Sequence, residues 1–345
     1  MRFFERQREA RSQTARLLLL FTLTLLALVI AVNVALALTW RVVAWGGTGY
    51  PLYFFQINTV MTLVFVLGGW WIESSNLDGG GEKLARRAGA REARLLGPLS
   101  RAGSYDTEKK FCNIVSELAI AASMKPPTPM VLDRVDSINA FACGWDEDDA
   151  VVAVTQGALD VLTRDELQGL VAHEFSHITE GDMQLNMRLA GMVSGLEMIF
   201  NLGNAMCESD DDGGKTLLAV PGFAIKCVGS VGWLAGRVLK AAVSRQREYL
   251  ADARAVQFTR SKEGLGGALR KAMGQQGGEG SGGASSALRP LHPSVQHMLL
   301  VGSTPNGRWF ASHPPLADRV RRIYGRSMPA LAIDERQARD SGAVF

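Results

Sequence analysis

His173-Glu174-Phe175-Ser176-His177 places two histidines four residues apart around a glutamate. On a helix that spacing turns both imidazoles to one face, where they can grip a single Zn²⁺. The glutamate is then placed to act as general base toward a water that the metal activates, which is the chemistry of peptide hydrolysis. The bland alternative is a buried helix whose two satisfied histidines happen to flank a glutamate. With only five histidines in the chain, that coincidence is rare.

The elements that must position the motif can be read around it. Thr163-Arg164-Asp165-Glu166 forms a capping box. Leu167, Leu170, Val171 and Phe175 recur at helical spacing, and Gly181 supplies a stop. The pattern predicts a helix over about 165–179 with the motif in its second half. A catalytic zinc takes three protein ligands and keeps one position open. No further histidine follows the motif locally, so the third ligand must come from elsewhere. In the segment Ser244–Asp252, Glu248 and Asp252 share one helix face. One can ligate zinc while the other accepts the N–H of a ligating histidine. The same spacing also suits a solvated face whose carboxylates pair with Arg245, Arg247 or Arg254, and spacing alone leaves both readings open.

The 345 residues suffice for a catalytic core plus further elements, and a net charge of +3 carries no nucleic-acid footprint. The charge distribution says more. Arg2, Arg6, Arg8, Arg11 and Arg16 crowd the N-terminus, and Lys83, Arg86, Arg87, Arg91, Arg94 and Arg101 crowd a second stretch. Between them lie two apolar runs, Leu17–Trp40 and Tyr50–Ile72, each longer than the roughly 20 residues that span a bilayer. The loop between the runs holds one basic residue, Arg41. The positive-inside rule therefore puts both ends of this hairpin in the cytoplasm. Trp40, Trp45, Tyr50, Trp70 and Trp71 sit at the run ends, where interfacial aromatics belong. Ala35-Leu36-Ala37 resembles a signal-peptidase site, but the apolar run is too long for a signal peptide and a second span follows it. The flanking charges read as juxtamembrane residues, each worth about 1 kcal/mol against anionic lipid. Cys112, Cys143, Cys207 and Cys227 show no CxxC pairing, and a cytoplasmic location predicts free thiols.

Along the chain, 76–103 reads as a polar, basic connector. An amphipathic helix over 107–124 presents Phe111, Ile114, Val115 and Leu118 on one face. Three short apolar runs, 130–132, 138–143 and 151–155, predict a small sheet. Two further apolar stretches, Leu185–Cys207 and Thr216–Gly236, contain Arg188, Glu197 and Lys226 and flank an acidic loop at 208–214. They suit either a buried hairpin of the catalytic domain or a second membrane pair. The hairpin must return the chain to the side it left, because the motif precedes it and Glu248 follows it. A Gly/Ser-rich stretch covers 275–286, and a helix is expected through Leu316, Val320 and Ile323. His292 and His297 fit no ligand pattern. The fold class is thus mainly α with a small β-sheet (α+β). A transmembrane hairpin occupies 1–75. A zincin-like domain is assembled from 104–184 and 237–326 around the hydrophobic hairpin 185–236, and 327–345 forms a tail.

The combination of motifs resembles a known family. HExxH followed by Ile178 and Gly181-Asp182, then Ser244-Arg245-Gln246-Arg247-Glu248-Tyr249-Leu250-Ala251-Asp252, then His313-Pro314-Pro315, looks like the HtpX-type membrane zinc metallopeptidases. Prenyl-protein endopeptidases of the same clan share much of this pattern. The likeness runs from the membrane hairpin to about Tyr324. It implies a gluzincin site holding one Zn²⁺ per chain on His173, His177 and Glu248, with Glu174 as base and Asp252 in support of a histidine ligand. Asn139-Ala140-Phe141-Ala142 resembles the family's strand beside the active site, which can pair with an extended substrate backbone. His313 and Arg319 fit the C-terminal motif near the zinc, where a cation or imidazole could stabilise an oxyanion. The chain departs from the pattern in its 275–286 insert and in the charges of its later apolar stretches.

These features lead to a membrane-anchored zinc endopeptidase acting on protein or peptide substrates at the cytoplasmic face of the cell's inner membrane. The resemblance implies misfolded membrane proteins as substrates. A dedicated processing peptidase for one partner or for lipidated peptides, and a non-catalytic zinc-stabilised scaffold, are the alternatives. The charge pattern predicts that cysteines introduced at the N-terminus and after Arg326 are labelled only once the membrane is permeabilised. Labelling of either from outside intact cells would overturn the orientation.

Overall fold

A computed structural model describes residues 2–43, 49–94, 104–207, 219–278, 299–300 and 313–332. The acidic 208–214 loop, residues 279–286 of the Gly/Ser-rich stretch, His292, His297 and the tail from 333 lie outside the described residues. The elements in chain order are α1 (Arg2–Val43), α2 (Phe54–Leu77), α3 (Gly80–Arg87), β1 (Arg91–Glu92), α4 (Ser104–Ala122), β2 (Thr128–Leu132), β3 (Ala140–Cys143) and β4 (Val151–Thr155). Then follow α5 (Gln156–Val161), α6 (Arg164–Thr179), α7 (Asp182–Cys207), α8 (Ala219–Thr259), α9 (Lys262–Gly278) and α10 (Leu316–Tyr324). The fold is mostly helical with one small mixed sheet, the class expected from the sequence. It divides into two compact units, Met1–Asp78 with Arg188–Lys240, and Gly79–Met187 with Ala241–Phe345.

The first unit is helical and apolar. Among the described residues, Leu18–Val42 and Phe54–Leu77 are long and apolar enough to cross a membrane. The second of these starts later than its apolar run, because Pro51 opens a turn closed by the Phe54 N–H on the Pro51 carbonyl and Tyr53 takes a left-handed φ of 60°. Leu19, Leu23, Leu26, Ile30, Val34 and Leu38 point outward along α1, an arrangement suited to lipid rather than water. Inward-facing Phe21, Leu28, Val32 and Val66 pack with Met192, Leu196, Ile199 and Val228. The second apolar pair therefore packs with the first, outside the sheet-containing unit. Glycines allow that packing. A Cβ on Gly195 would lie 2.5 Å from the Val66 carbonyl, and one on Gly229 2.4 Å from the Phe200 nitrogen. One of the charges that interrupt the apolar pattern, Lys226, and Arg237 just beyond it lie over rings. Lys226 lies over Phe200 and Arg237 over Trp233, and the two rings stack on each other.

The second unit is built on a four-stranded sheet of order β1-β2-β4-β3, with β2 and β4 parallel and both outer pairs antiparallel. Val151-Val152-Ala153-Val154-Thr155 is buried along its whole length, as a central strand covered on both faces must be. β3 is an edge strand, yet it too is fully buried, with α6 packed against it. Helix α6 begins at the expected capping box: Thr163 accepts from the Glu166 N–H while Glu166 accepts from the Thr163 N–H at 2.9 Å. Glu166 also takes Lys271 Nζ at 2.7 Å, tying the start of α6 to α9. The two helices meet backbone to backbone at Gly169, where a Cβ would fall 2.2 Å from the Leu265 nitrogen. α4 adds Phe111, Ile114, Val115 and Leu118 to the same core.

Residues 76–103, read as a connector, hold α3 and β1. Two residues of strand are too short to show alternation, and α3 is anchored by backbone contacts that its composition does not announce. Gly81 lies against the Cys143 and Asp149 carbonyls, and its N–H donates to Asp149 at 3.1 Å. Arg91, one of the basic residues of this stretch, is engaged in ion pairs within the unit. Its guanidinium grips Glu108 at 2.6 and 2.9 Å and Asp133 at 2.6 Å, and Glu108 also accepts from the Arg94 N–H at 2.7 Å. All four cysteines are free, with Cys112 and Cys143 buried.

Burial works to raise the Glu108 carboxyl, but Arg91 and the Arg94 N–H hold it below its ordinary value of 4.5. Such a group stabilises the fold above its unfolded pKa and loses that contribution as pH falls through the lower folded one. Glu108→Ala is expected to cost about 2 kcal/mol at neutral pH, with the deficit shrinking below pH ~4.5. Chemical denaturation at pH 7 and pH 4 measures this, and a deficit independent of pH would deny the ion pair its role.

Candidate active site

Helix α6 delivers His173, Glu174 and His177, all buried or nearly so. α8 delivers Glu248 and Asp252, at 4% and 3% exposure, so the solvated-face alternative for these carboxylates does not hold. The helices are pinned beside the motif by Ser176 Oγ, which lies 3.0 Å from the Ala172 carbonyl and 3.3 Å from the Ala251 carbonyl. His173 Nε2 and His177 Nε2 lie 3.2 Å apart. Glu248 closes the triangle, with Oε2 3.5 Å from His173 Nε2 and Oε1 3.7 Å from His177 Nε2.

The far side of each imidazole meets a carboxylate. His173 Nδ1 lies 3.0 Å from Asp252 Oδ1, and His177 Nδ1 lies 2.9 Å from Asp182 Oδ2. A carboxylate only accepts, so each Nδ1 carries a proton and each Nε2 is turned to the triangle, where a metal would take the place of its proton. Each carboxylate is held in turn by an arginine. Arg319, with no exposed surface, grips Asp252 through Nε at 2.9 Å and Nη2 at 2.6 Å, and its Nη1 lies 3.1 Å from Glu248 Oε2. Arg247 Nη1 lies 2.7 Å from Asp182 Oδ1. Asp182 and Arg247 were not singled out as site residues from the sequence. The one hint was that Asp182 belongs to the motif's extension. His313 Nδ1 comes to 3.1 Å of Glu248 Oε1, but neither of its buried ring nitrogens makes a hydrogen bond among the described residues.

Burial opposes charge throughout this cluster, and the neighbours decide the outcome. Burial raises Glu174 above an ordinary carboxylate. Burial would raise Glu248 as well, but His313, Arg319 and His173 hold it well below the usual range. Asp252 is lowered by Arg319 and His173 against the same penalty. Burial and Arg319 would lower His173, yet Asp252 and Glu248 lift it to about 9.

The triangle fits a metal ion. His173, His177 and Glu248 each offer one ligand atom, all within 4.8 Å of one another. A tetrahedral zinc with bonds near 2.0–2.1 Å has ligand–ligand edges of about 3.3 Å, close to the separations found here. Glu248 Oε2 is buried 3.1 Å from Arg319 Nη1 but makes no hydrogen bond among the described residues, so it keeps a lone pair for a cation. Charge agrees. With the imidazoles neutral, as metal binding requires, and Glu174 ionised, four carboxylates outnumber Arg247 and Arg319 by two, the charge of a divalent cation.

Of the strand residues expected to meet substrate, Asn139 turns its backbone to β4. Its carbonyl accepts from the Thr155 N–H at 3.1 Å and its N–H donates to Thr155 Oγ1 at 3.0 Å. Alternation puts Phe141 with it, and gives Ala140 and Ala142 the outer edge. The Ala140 carbonyl accepts from the Leu300 N–H at 3.0 Å, and the Ala140 N–H donates to the Asn139 side chain at 3.1 Å. Ala142 is the next residue along that edge.

Comparison with known proteins agrees with this geometry. Residues 106–327 match the model of peptidase family M48. The chain is similar to a protein named Protease HtpX homolog from Streptococcus uberis, 33% identical over 229 residues that make up 64% of this chain and 74% of that protein. Proteins of the same name from Thermoanaerobacter pseudethanolicus and Ligilactobacillus salivarius are 33% and 35% identical, over 63% and 61% of this chain and 71% of each relative. No solved structure gives a match.

Alanine at His173, His177 or Glu248 is expected to empty the purified protein of divalent metal, while Asp252→Ala weakens affinity less severely, by about 10–100-fold. Elemental analysis and chelator competition read both. Metal retained at wild-type affinity by Glu248→Ala would remove Glu248 from the ligand set.

Proposed function

The chain belongs to peptidase family M48, and from that membership we propose that it is a zinc-dependent endopeptidase anchored in the membrane, with its catalytic unit on the cytoplasmic face. The observation that carries this reading is the His173–His177–Glu248 triangle, backed by carboxylates and sharing α6 with the buried Glu174. Zinc, when bound, supplies a Lewis acid that polarises a peptide carbonyl and makes a water acidic enough to attack it near neutral pH. Glu174, on the same helix as the two histidines, would take up a proton from the attacking water and return it to the leaving amine. Its burial, which raises its proton affinity, suits a group that must both accept and return a proton. A purely structural metal site has no use for such a carboxylate.

The remaining residues divide between holding and binding. Asp252 keeps His173 in the tautomer that frees Nε2, and Arg319 keeps Asp252 in place. With its guanidinium committed to two carboxylates, Arg319 serves as a positioning group. His313, whose ring nitrogens lack hydrogen bonds, is the better candidate to stabilise the oxyanion. An extended substrate pairs its backbone with the outer edge of β3 at Ala142, beside the Ala140–Leu300 hydrogen bond. Binding through an edge strand selects unfolded or extended segments, which supports misfolded membrane proteins as substrates. The two long apolar helices anchor the chain, and α7 and α8 share the bilayer with them, since all four contribute to one apolar core.

Glu174→Gln removes the base and leaves the ligands. The variant is expected to keep its metal and its fold but to lose at least about 1,000-fold in cleavage of casein or of an unfolded membrane protein. Wild-type turnover by Glu174→Gln, or zinc-independent cleavage by the wild type, would end the metallopeptidase reading.

A further inference from the structure

Asp182 lies outside the HExxH motif, five residues beyond His177, and opens α7. Its placement depends on the turn before it. The Glu180 N–H donates to the Ser176 carbonyl at 3.0 Å, the Gly181 N–H donates to the Ile178 carbonyl at 3.1 Å, and Gly181 takes φ 75°. That left-handed residue ends α6 and reverses the chain, which brings the first side chain of α7 back over the last turn of α6. Arg254 fastens the same turn by pairing with Glu180 at 2.6 Å. The Asp182 carboxylate is then divided between two partners. Oδ2 meets His177 Nδ1 at 2.9 Å, and Oδ1 meets Arg247 at 2.7 Å. Asp182 is 5% exposed and the Arg247 side chain 19%.

Resting on the zinc reading above, we infer that Asp182, locked by Arg247, is the positioning residue for His177 as Asp252, locked by Arg319, is for His173. The carboxylate accepts the Nδ1 proton, fixes the tautomer and ring angle, and raises the basicity of Nε2. Arg247, at ion-pair distance, balances the carboxylate's buried charge and so keeps it ionised beside the imidazole. Because Arg247 immediately precedes Glu248 on α8, one short stretch of that helix both contributes a ligand and steadies the opposite histidine. The head of α7 and the middle of α8 are thereby tied to one imidazole.

A plain structural ion pair between α7 and α8 would look similar in outline, so the test must separate the two. Full-length protein in detergent is stripped of metal. Its melting temperature, its zinc dissociation constant by chelator competition, and the visible spectrum of its Co²⁺ form are then measured. Asp182→Asn keeps an acceptor oxygen without the charge, and Asp182→Ala loses both. Zinc affinity is expected to fall by about tenfold for Asn and by up to about 100-fold for Ala, with a changed Co²⁺ band, in addition to whatever metal-free melting temperature is lost with the buried ion pair. Arg247→Gln, which leaves Asp182 in place, should fall between wild type and Asp182→Asn. It also keeps the test open should Asp182→Ala fail to fold. Variants that bind zinc as tightly as a zinc-binding wild type, or that lose only metal-free stability, overturn this inference and leave the peptidase reading intact. A wild type that takes up no zinc overturns both.

Discussion

Burying charge is the constraint around which the catalytic unit is organised. Glu174, Asp182, Glu248, Asp252, Arg247 and Arg319 come together with two imidazoles where little water reaches. Each isolated ion would face several kcal/mol of desolvation, and only close partners offset it. The partners come from four helices. α6 brings the histidines, the head of α7 brings Asp182, α8 brings Glu248, Asp252 and Arg247, and α10 brings Arg319. No one of these helices could sit where it does without the charges of the others. The fold of this unit and the electrostatics of its site are therefore one problem with one solution.

The same logic explains why Arg319 is spent on structure. Its guanidinium makes a fork on Asp252, reaches Glu248 and donates to the Leu300 carbonyl at 3.2 Å. It therefore joins the backing of the histidine, the third side of the metal triangle and the short segment that borders the edge strand. A lysine could not make this fork, because its single nitrogen lacks the planar pair of donors. Leu300 in turn occupies the Ala140 carbonyl, so one arginine indirectly sets how much of β3 is left for an incoming chain.

The helical unit follows different rules. Where lipid is the surrounding medium, apolar surface gives helices little reason to associate, and close packing does the work. Gly195 and Gly229 supply the close approaches, and Lys226 and Arg237 settle on Phe200 and Trp233. Lys226 makes α8 look ambiguous in sequence. Its place over a ring is something that hydropathy does not register.

What the sequence determined by itself was local. The capping box, the apolar spacing behind it and the HExxH face all lie within about five turns of one helix, so residue order alone specifies α6 and two of the three metal-facing atoms. The β4 run and the two membrane-length runs are equally local, because continuous burial leaves continuous hydrophobicity. Glu248 and Asp252 were legible as a pair sharing a face, but whether that face met solvent or a metal was not. The packing of α8 on α6 excluded solvent and set the pair beside the two histidines. α3 and β1 escaped notice because a two-residue strand has no period. The lock of Arg319 on Asp252, 67 residues away in sequence, and of Arg247 on Asp182, could be settled only in three dimensions. An ion pair buried between distant segments leaves no spacing signal. It exists only because folding removes the water that would otherwise have separated the two charges.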